Sequence, residues 1–253
     1  MSDTSTRPTP GLIEAIRFLT IIPLPGLSPM SEQSVVRAIP WFPAVGLVIG
    51  GALVAVDALA RPLWGDLTAA VLVVIGWGII TGGLHLDGLS DTFDAVMSWR
   101  SRERKLEIMK DSRIGAMGAL ALMAVLLLKV ALVAGAAPAW PALLLAPMLG
   151  RWADCYGIYR FPPAREGGLG RTFNAQVRQS DLWLASLLMV ASAWIIAGLA
   201  GLITVGLVFG VAHVLARWWV RDLGGLTGDT YGALCEIGEV VALAALTVRW
   251  GGM

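Results

Sequence analysis

Long apolar runs, each close to 20 residues, alternate along this chain with short segments that hold most of its charge. A helix needs about 20 apolar residues to cross about 30 Å of hydrocarbon. The pattern predicts spans at roughly 39–60, 67–86, 114–135, 138–157, 182–199, 202–220 and 233–250. Trp41 stands at the start of the first, Gly201 folds the fifth onto the sixth as a tight hairpin, and Arg249 and Trp250 close the last. Ahead of them, GLIEAIRFLTII (11–22) places Leu12, Ile13, Ile16 and Leu19 on one helical face, with Glu14 and Arg17 off it. That stretch is too short to span and predicts an interfacial helix ending at Pro23. Residues 1–10, MSDTSTRPTP, read as a disordered tail, and no cleavable signal peptide is visible. The fold class is all-α: a polytopic helical integral membrane protein of about seven transmembrane helices plus the interfacial helix. Residues 11–253 form a single membrane-embedded domain.

The polar connections are lopsided. Residues 87–113 carry Arg100, Arg102, Arg104, Lys105, Lys110 and Arg113, and residues 151–178 carry Arg151, Arg160, Arg165, Arg171 and Arg178. Arg221 marks the connection near 221, whereas the opposite connections hold only Arg61. Lysine and arginine retained on the inner side then place the rich loops together in the cytoplasm and the C-terminus outside. Lys129 lies inside the third span and is expected to snorkel toward its outer end. Trp41, Trp77, Trp99, Trp152, Trp183 and Trp218 read as interface anchors.

Composition sharpens the class. The chain of 253 residues is 57% hydrophobic and 15% charged, with a mean hydropathy of +0.72, against about 25% charged residues in a soluble globule. A β-barrel would show short alternating segments instead. The net charge of +1 gives no basic field for nucleic acid. Cys155 and Cys235 lack metal-ligand spacing and read as small apolar fillers. Gly46–Gly50, Gly78–Gly82 and Gly206–Gly210 have the small-xxx-small spacing of close helix packing, and neither a phosphate-binding P-loop nor a dinucleotide fingerprint occurs.

The candidate chemistry begins in GLHLDGLSDTFDAV (83–96). Spacings of four and three put Asp87, Asp91 and Asp94 on one helical stripe. Exposed like charges at such spacing repel by a few tenths of a kcal/mol per pair, and more strongly beside a low-dielectric membrane. A divalent cation relieves this, and Mg²⁺ prefers carboxylate, water and phosphate oxygen. The plain alternative is a solvated helix start with aspartates near the positive dipole end. His85 precedes the stripe and reads either as a hydrogen-bonded structural residue or as a catalytic one, whereas His213 reads as structural.

Three further segments join it under the proposed topology. MKDSRIGAMG (109–118) offers Lys110, Asp111 and Arg113, which serve either membrane anchoring or a paired or metal-linked site. In RFPPAREGGLGRTF (160–173) the prolines block a helix and the glycines allow close backbone approach. Arg165 and Arg171 there suit bidentate phosphate contacts, unless the segment is an ordinary loop. In DLGGLTGDTYGALCEIGE (222–239), Asp229 and Glu236 are two helical turns apart, with Glu236 inside the final span, where an acid is costly and a functional candidate.

GGLHLDGLSDTFDA, MKDSRIGAMG, FPPAREGGLG and LGGLTGDTYGALCE, in this order, resemble the cobalamin synthase family, the adenosylcobinamide-GDP ribazoletransferases. FLTIIPLP and WFPAVGLVIG are also similar to that family, so the resemblance covers nearly the whole chain. Ser90, Phe93 and Ala95 depart from the small residues expected there, which bears on packing while the three aspartates stand intact. The resemblance implies a bacterial inner membrane protein and a Mg²⁺-dependent transfer late in vitamin B12 assembly. Adenosylcobinamide-GDP and α-ribazole, or its 5′-phosphate, give adenosylcobalamin or its 5′-phosphate plus GMP. Asp87, Asp91, Asp94, Asp111 and Asp229 would hold the metal, Lys110, Arg113, Arg165 and Arg171 the GDP oxygens, and His85 or Glu236 would take the proton. Self-association is left open.

Two rival readings are an ion-coupled transporter and a lipid or prenyl diphosphate transferase. Transporters keep key charges near the midplane, and here the charges are expected at one face. The prenyl version lacks an adjacent pair of aspartates at this site.

Overall fold

The structure, a computed structural model, describes residues 10–25, 27, 29–165 and 176–248. Its helices are α1 (Gly11–Leu19), α2 (Glu32–Ala38), α3 (Phe42–Ile80), α4 (Leu84–Val96), α5 (Arg102–Ile108), α6 (Ala116–Gly135), α7 (Trp140–Arg160), α8 (Gln179–Leu223) and α9 (Gly228–Thr247). No strand occurs among the described residues, only an isolated bridge between Pro163 and Leu226. Residues 1–9, most of the expected tail, lie outside the described residues.

Two of these helices double back. A straight α3 would hold its ends roughly 58 Å apart, yet both ends meet α1. Phe18 stacks on Phe42 at 5.9 Å, and Ile21 N–H donates to the Ile80 carbonyl at 2.9 Å. The reversal falls at Gly65, whose φ of 76° and ψ of 177° suit only glycine. In α8 it falls at Gly198. A Cβ on Gly201 would stand 2.1 Å from the Ala193 carbonyl oxygen, although eight residues of straight helix span about 12 Å. Divided at Gly65 and Gly198, the described chain contains seven long helical segments, each overlapping one predicted span. The second ends at Ile80 rather than 86, because Gly82 (φ 60°) and Gly83 (φ 68°) are left-handed and turn the chain into α4.

By length and composition, residues 32–80, 116–135, 179–223 and 228–247 qualify to cross a membrane. Exposed apolar residues of α8, among them Trp183, Leu187, Ile195 and Leu207, face outward as a hydrocarbon solvent requires. At the centre stands α7, buried at every residue from Leu145 to Ile158 and wrapped by α3, α8 and α9. The α3–α7 contact is backbone to backbone: a Cβ on Gly46 would lie 2.4 Å from Met148 Cα, and one on Gly50 2.6 Å from the Leu143 carbonyl oxygen. The other two glycine pairs do not pack this way. Gly78 has only the end of Leu86 in reach, and Gly206 and Gly210 face open space.

Several sequence expectations are corrected. Glu14 is buried against α2 and α3 rather than off the packed face, with Arg17 3.1 Å away. Trp77 and Trp152 are buried, while Trp41, Trp99, Trp183 and Trp218 are exposed. Lys129 does not snorkel; it turns into the bundle. Arg151, assigned to a loop, is a fully buried residue of α7. Cys155 and Cys235 are free and buried, but Cys235 stands beside His85 and Asp154 rather than in a purely apolar seat.

Candidate functional site

One end of the bundle gathers α1, α4, α5, residues 161–165 and the α8–α9 link; the other holds the bend at Gly65 and the α6–α7 link. At the latter, Arg61 pairs with Asp57 (2.8 Å) and Asp66 (2.6 Å) and donates to the Val133 carbonyl at 3.2 Å. At the former, α5 is stitched to its neighbours. Lys105 contacts both carboxylate oxygens of Asp222 at 2.6 and 2.7 Å. Arg102 donates to the Leu223 carbonyl at 2.7 Å, and Arg165 to that of Leu106 at 2.9 Å. Ala164 N–H donates to the Leu226 carbonyl and Leu226 N–H to the Pro162 carbonyl, both at 2.8 Å. The loop after α7 and the link before α9, widely separated in sequence, are thereby one structure.

The acid stripe of α4 crosses the start of α9 at closest approach. A Cβ on Gly88 would lie 2.7 Å from the Asp229 carbonyl oxygen, and one on Gly232 3.1 Å from that of His85. Two glycines thus let the helices touch, which sets Asp229 beside Asp87 and Asp91. Thr227 and Thr230 cap α9 reciprocally, and the Thr227 hydroxyl donates to Asp229 Oδ2 at 3.2 Å. Arg165 is the cation at this group, 3.9 Å from Asp229. Partial burial first, then the carboxylates of Asp87, Asp229 and Asp94, push the Asp91 carboxyl up to about 7 against the pull of Arg165. Among the described residues, the group therefore carries more negative charge than its neighbours offset.

Asp94 has a second occupation. It accepts from Gly115 N–H at 2.7 Å and Gly118 N–H at 2.8 Å, capping α6, whose own N-cap is a glycine without a side chain. A Cβ on either glycine would lie within 2.4 Å of an Asp94 oxygen. The glycines of RIGAMG are thus the seat of an aspartate 21 residues upstream, a pairing that spacing alone does not reveal.

The remaining predicted residues divide. Lys110, Asp111 and Arg113 lie in the link between α5 and α6, just before Gly115, which Asp94 holds. Asp111 is bound to Arg113 at 2.6 Å, and those hydrogen bonds draw its carboxyl down to about 2. Arg171 lies outside the described residues. His213 takes a structural place, its Nδ1 2.7 Å from the Tyr156 hydroxyl. Glu236 sits inside the bundle, 2.7 Å from Lys129.

His85 and Glu236 belong to one buried ladder of charges that begins at Asp154 and ends at Glu236. His85 Nε2 is 3.3 Å from Asp154 Oδ2, and Nδ1 is 3.3 Å from Arg151 Nη2. Arg151 also contacts Glu239, which contacts Lys129, which reaches Glu236. Lys129 lies 4.2 Å from the Trp77 ring centroid as well. A guanidinium only donates, so His85 Nδ1 accepts and Nε2 carries the ring proton toward Asp154. Sequence reasoning missed Arg151, Asp154 and Glu239 as parts of one network. It also placed the charges at one face only, whereas this ladder runs into the bundle.

A cavity of about 220 Å³ adjoins the acid group. Asp87, Asp229, His85 and Asp154 form its polar side, and α1, the start of α3 and Ile158 of α7 its apolar side. Glu236 is not on its wall.

The family model of cobalamin-5-phosphate synthase matches residues 11–247. The adenosylcobinamide-GDP ribazoletransferase of Roseiflexus sp. (strain RS-1) is 65% identical over 236 residues, 93% of this chain and 88% of that protein. Those of Herpetosiphon aurantiacus and Desulforamulus reducens are 55% identical over 247 residues (93% and 95%) and 43% identical over 229 residues (89% and 91%). No solved structure matches.

Proposed function

This chain belongs to the cobalamin-5-phosphate synthase family, and on that premise we propose that it is an adenosylcobinamide-GDP ribazoletransferase. It moves the cobinamide phosphate of adenosylcobinamide-GDP onto α-ribazole or α-ribazole 5′-phosphate. GMP leaves, and adenosylcobalamin or its 5′-phosphate forms, in a late step of cobalamin synthesis. Carrying the reading is the contact of Gly88 with Asp229, which joins the α4 acids to the α9 acid at the arginine-rich end.

The donor set fits Mg²⁺. Asp87, Asp91 and Asp229 supply hard carboxylate oxygens, with Arg165 the nearby arginine among the described residues, and the raised Asp91 carboxyl marks charge that a divalent ion would offset. In this reading these three hold the ion. Asp94 buttresses Asp91 from the cap of α6, and Asp111 orients Arg113. Bound Mg²⁺ supplies charge neutralisation to the diphosphate oxygens.

Arg165, Lys110 and Arg113 grip the GDP oxygens, arginine by its planar fork. The α-ribazole 3′-hydroxyl forms a bond to the cobinamide-side phosphorus, and the bond from that phosphorus to the bridging oxygen breaks. GMP departs with the bridging oxygen. The hydroxyl proton goes to Asp154, which His85 orients and which borders the cavity; Glu236, held by Lys129 away from that wall, is the less favoured base. The rich end faces the cytoplasm of an inner membrane by its lysine and arginine excess.

Purified protein in detergent, given a GDP-linked corrinoid and α-ribazole, should release GMP only with Mg²⁺. Substrate uptake by sealed vesicles without GMP would support transport instead. The buried ladder is the feature shared with transporters, but its charges are cross-paired. A lipid diphosphate as the preferred donor would support the prenyl reading.

A further inference from the structure

We propose that the cavity between α1, α4, α7 and α9 receives the flat aromatic base of the acceptor riboside, with its sugar turned toward Asp87 and Asp229. The inference rests on the transfer reading above and names the subsite that reading leaves open. At about 220 Å³ the cavity is too small for a corrin and has room for one fused bicyclic ring.

The walls discriminate between the two bases present in the reaction. Phe18, Phe42, Leu84 and Ile158 are apolar, and the polar lining includes Asp87, Asp229, His85 and Asp154. Guanine carries donors and acceptors on nearly every edge, and each one buried without a partner costs about 1–3 kcal/mol. A benzimidazole carries a single ring acceptor and an otherwise apolar rim, so this pocket desolvates it at little cost. Tyr231, also on the wall, has a buried hydroxyl without a hydrogen-bond partner and supplies the donor type that one ring nitrogen needs. Phe18 and Phe42, already stacked on each other, extend an aromatic surface along the same wall. The sugar then emerges beside Asp87 and Asp229, where the phosphorus is to be attacked.

The test is kinetic, with a binding arm. Leu84 is 44% exposed and borders the cavity, so Leu84→Trp fills it without crowding a closed core. Michaelis constants are measured for the dimethylbenzimidazole riboside, for a smaller imidazole riboside and for the GDP-linked donor. Leu84→Trp should raise the constant for the bicyclic acceptor about tenfold or more, raise that for the imidazole riboside less, and leave the donor constant within about twofold. Ile158→Ala, which enlarges the same space, should relax discrimination between the ribosides. The riboside alone should raise the melting temperature of wild type and not of Leu84→Trp. A raised donor constant with an unchanged acceptor constant would place guanine in the cavity and overturn the proposal while leaving the transfer reading intact. Unchanged constants for both would overturn it likewise. Absence of any transfer by wild type, with Mg²⁺ and every substrate present, would overturn both together.

Discussion

Gly88 and Asp229 meet backbone against backbone, so closely that a Cβ on Gly88 would stand 2.7 Å from the Asp229 carbonyl oxygen. Because that neighbour is main chain, it has no rotamer by which to escape. Gly88→Val should force α4 and α9 apart, lowering stability by about 1–3 kcal/mol and reducing transfer at least tenfold. Melting in detergent and GMP release measure the two effects; a variant with wild-type turnover would show that the spacing of Asp87 and Asp229 does not matter.

Asp91 and Asp94 are neighbours on one stripe and should fail differently. Asp91→Asn removes a carboxylate that its surroundings repel, so the metal-free protein should melt no lower than wild type. Its turnover should fall beyond the roughly 100-fold typical of losing an outer-shell partner, and Mg²⁺ should no longer raise its melting temperature. Asp94→Ala should instead lower the melting temperature with or without Mg²⁺, by the 0.5–2 kcal/mol or so of a lost helix cap. Equal Mg²⁺ stabilisation of Asp91→Asn and wild type would remove Asp91 from the metal site.

The Asp91 carboxyl also sets a pH dependence. It stands at about 7 in the folded protein against an ordinary 3.8, so the folded state binds its proton more tightly than the unfolded chain. The resulting stabilisation is complete below about pH 4 and is lost as pH rises through about 7. Other groups set their own trends at the acid extreme, so the informative window is pH 6 to 8. There, metal-free wild type should lose melting temperature as pH rises, Asp91→Asn should lose less, and Mg²⁺ should flatten the wild-type curve. Parallel curves for the two proteins would contradict the assignment.

Lys129→Met should destabilise the protein by about 3–5 kcal/mol, the typical consequence of stranding a buried charge, because Glu236 and Glu239 both point at the ammonium. Lys129→Met combined with Glu236→Gln should recover part of that loss. The measurement is the melting temperature of each single and double variant in one detergent; additive losses would mean Lys129 and Glu236 are uncoupled.

How far the sequence discloses this depends on what each residue signals. The Asp87–Asp91–Asp94 spacing reports a common helical face, and apolar run length reports the spans; both survive in the structure. Which way Lys129 points is invisible, since α6 is apolar on every side and offers no polar face to orient it. Arg151 misleads because it reads as one basic connection with Arg160 and Arg165, whereas α7 runs on to Arg160 and its packing draws Arg151 inward. Asp94 and Gly115 carry no mutual signal at all: a cap supplied by another helix depends on the tertiary approach. The glycine pairs show the same limit, since Gly46–Gly50 meets a backbone and Gly206–Gly210 meets none.

The bond between Lys129 and Glu236 has a bearing on how the polypeptide is made. Lys129 enters the bilayer with α6, and Glu236 arrives only with α9, after 107 further residues have been synthesised. Until then a lone ammonium resides among lipid tails, an arrangement that is costly for an isolated helix. A later segment of the chain therefore neutralises a much earlier one. A chain cut short before Gly228 would leave Lys129 without either carboxylate partner.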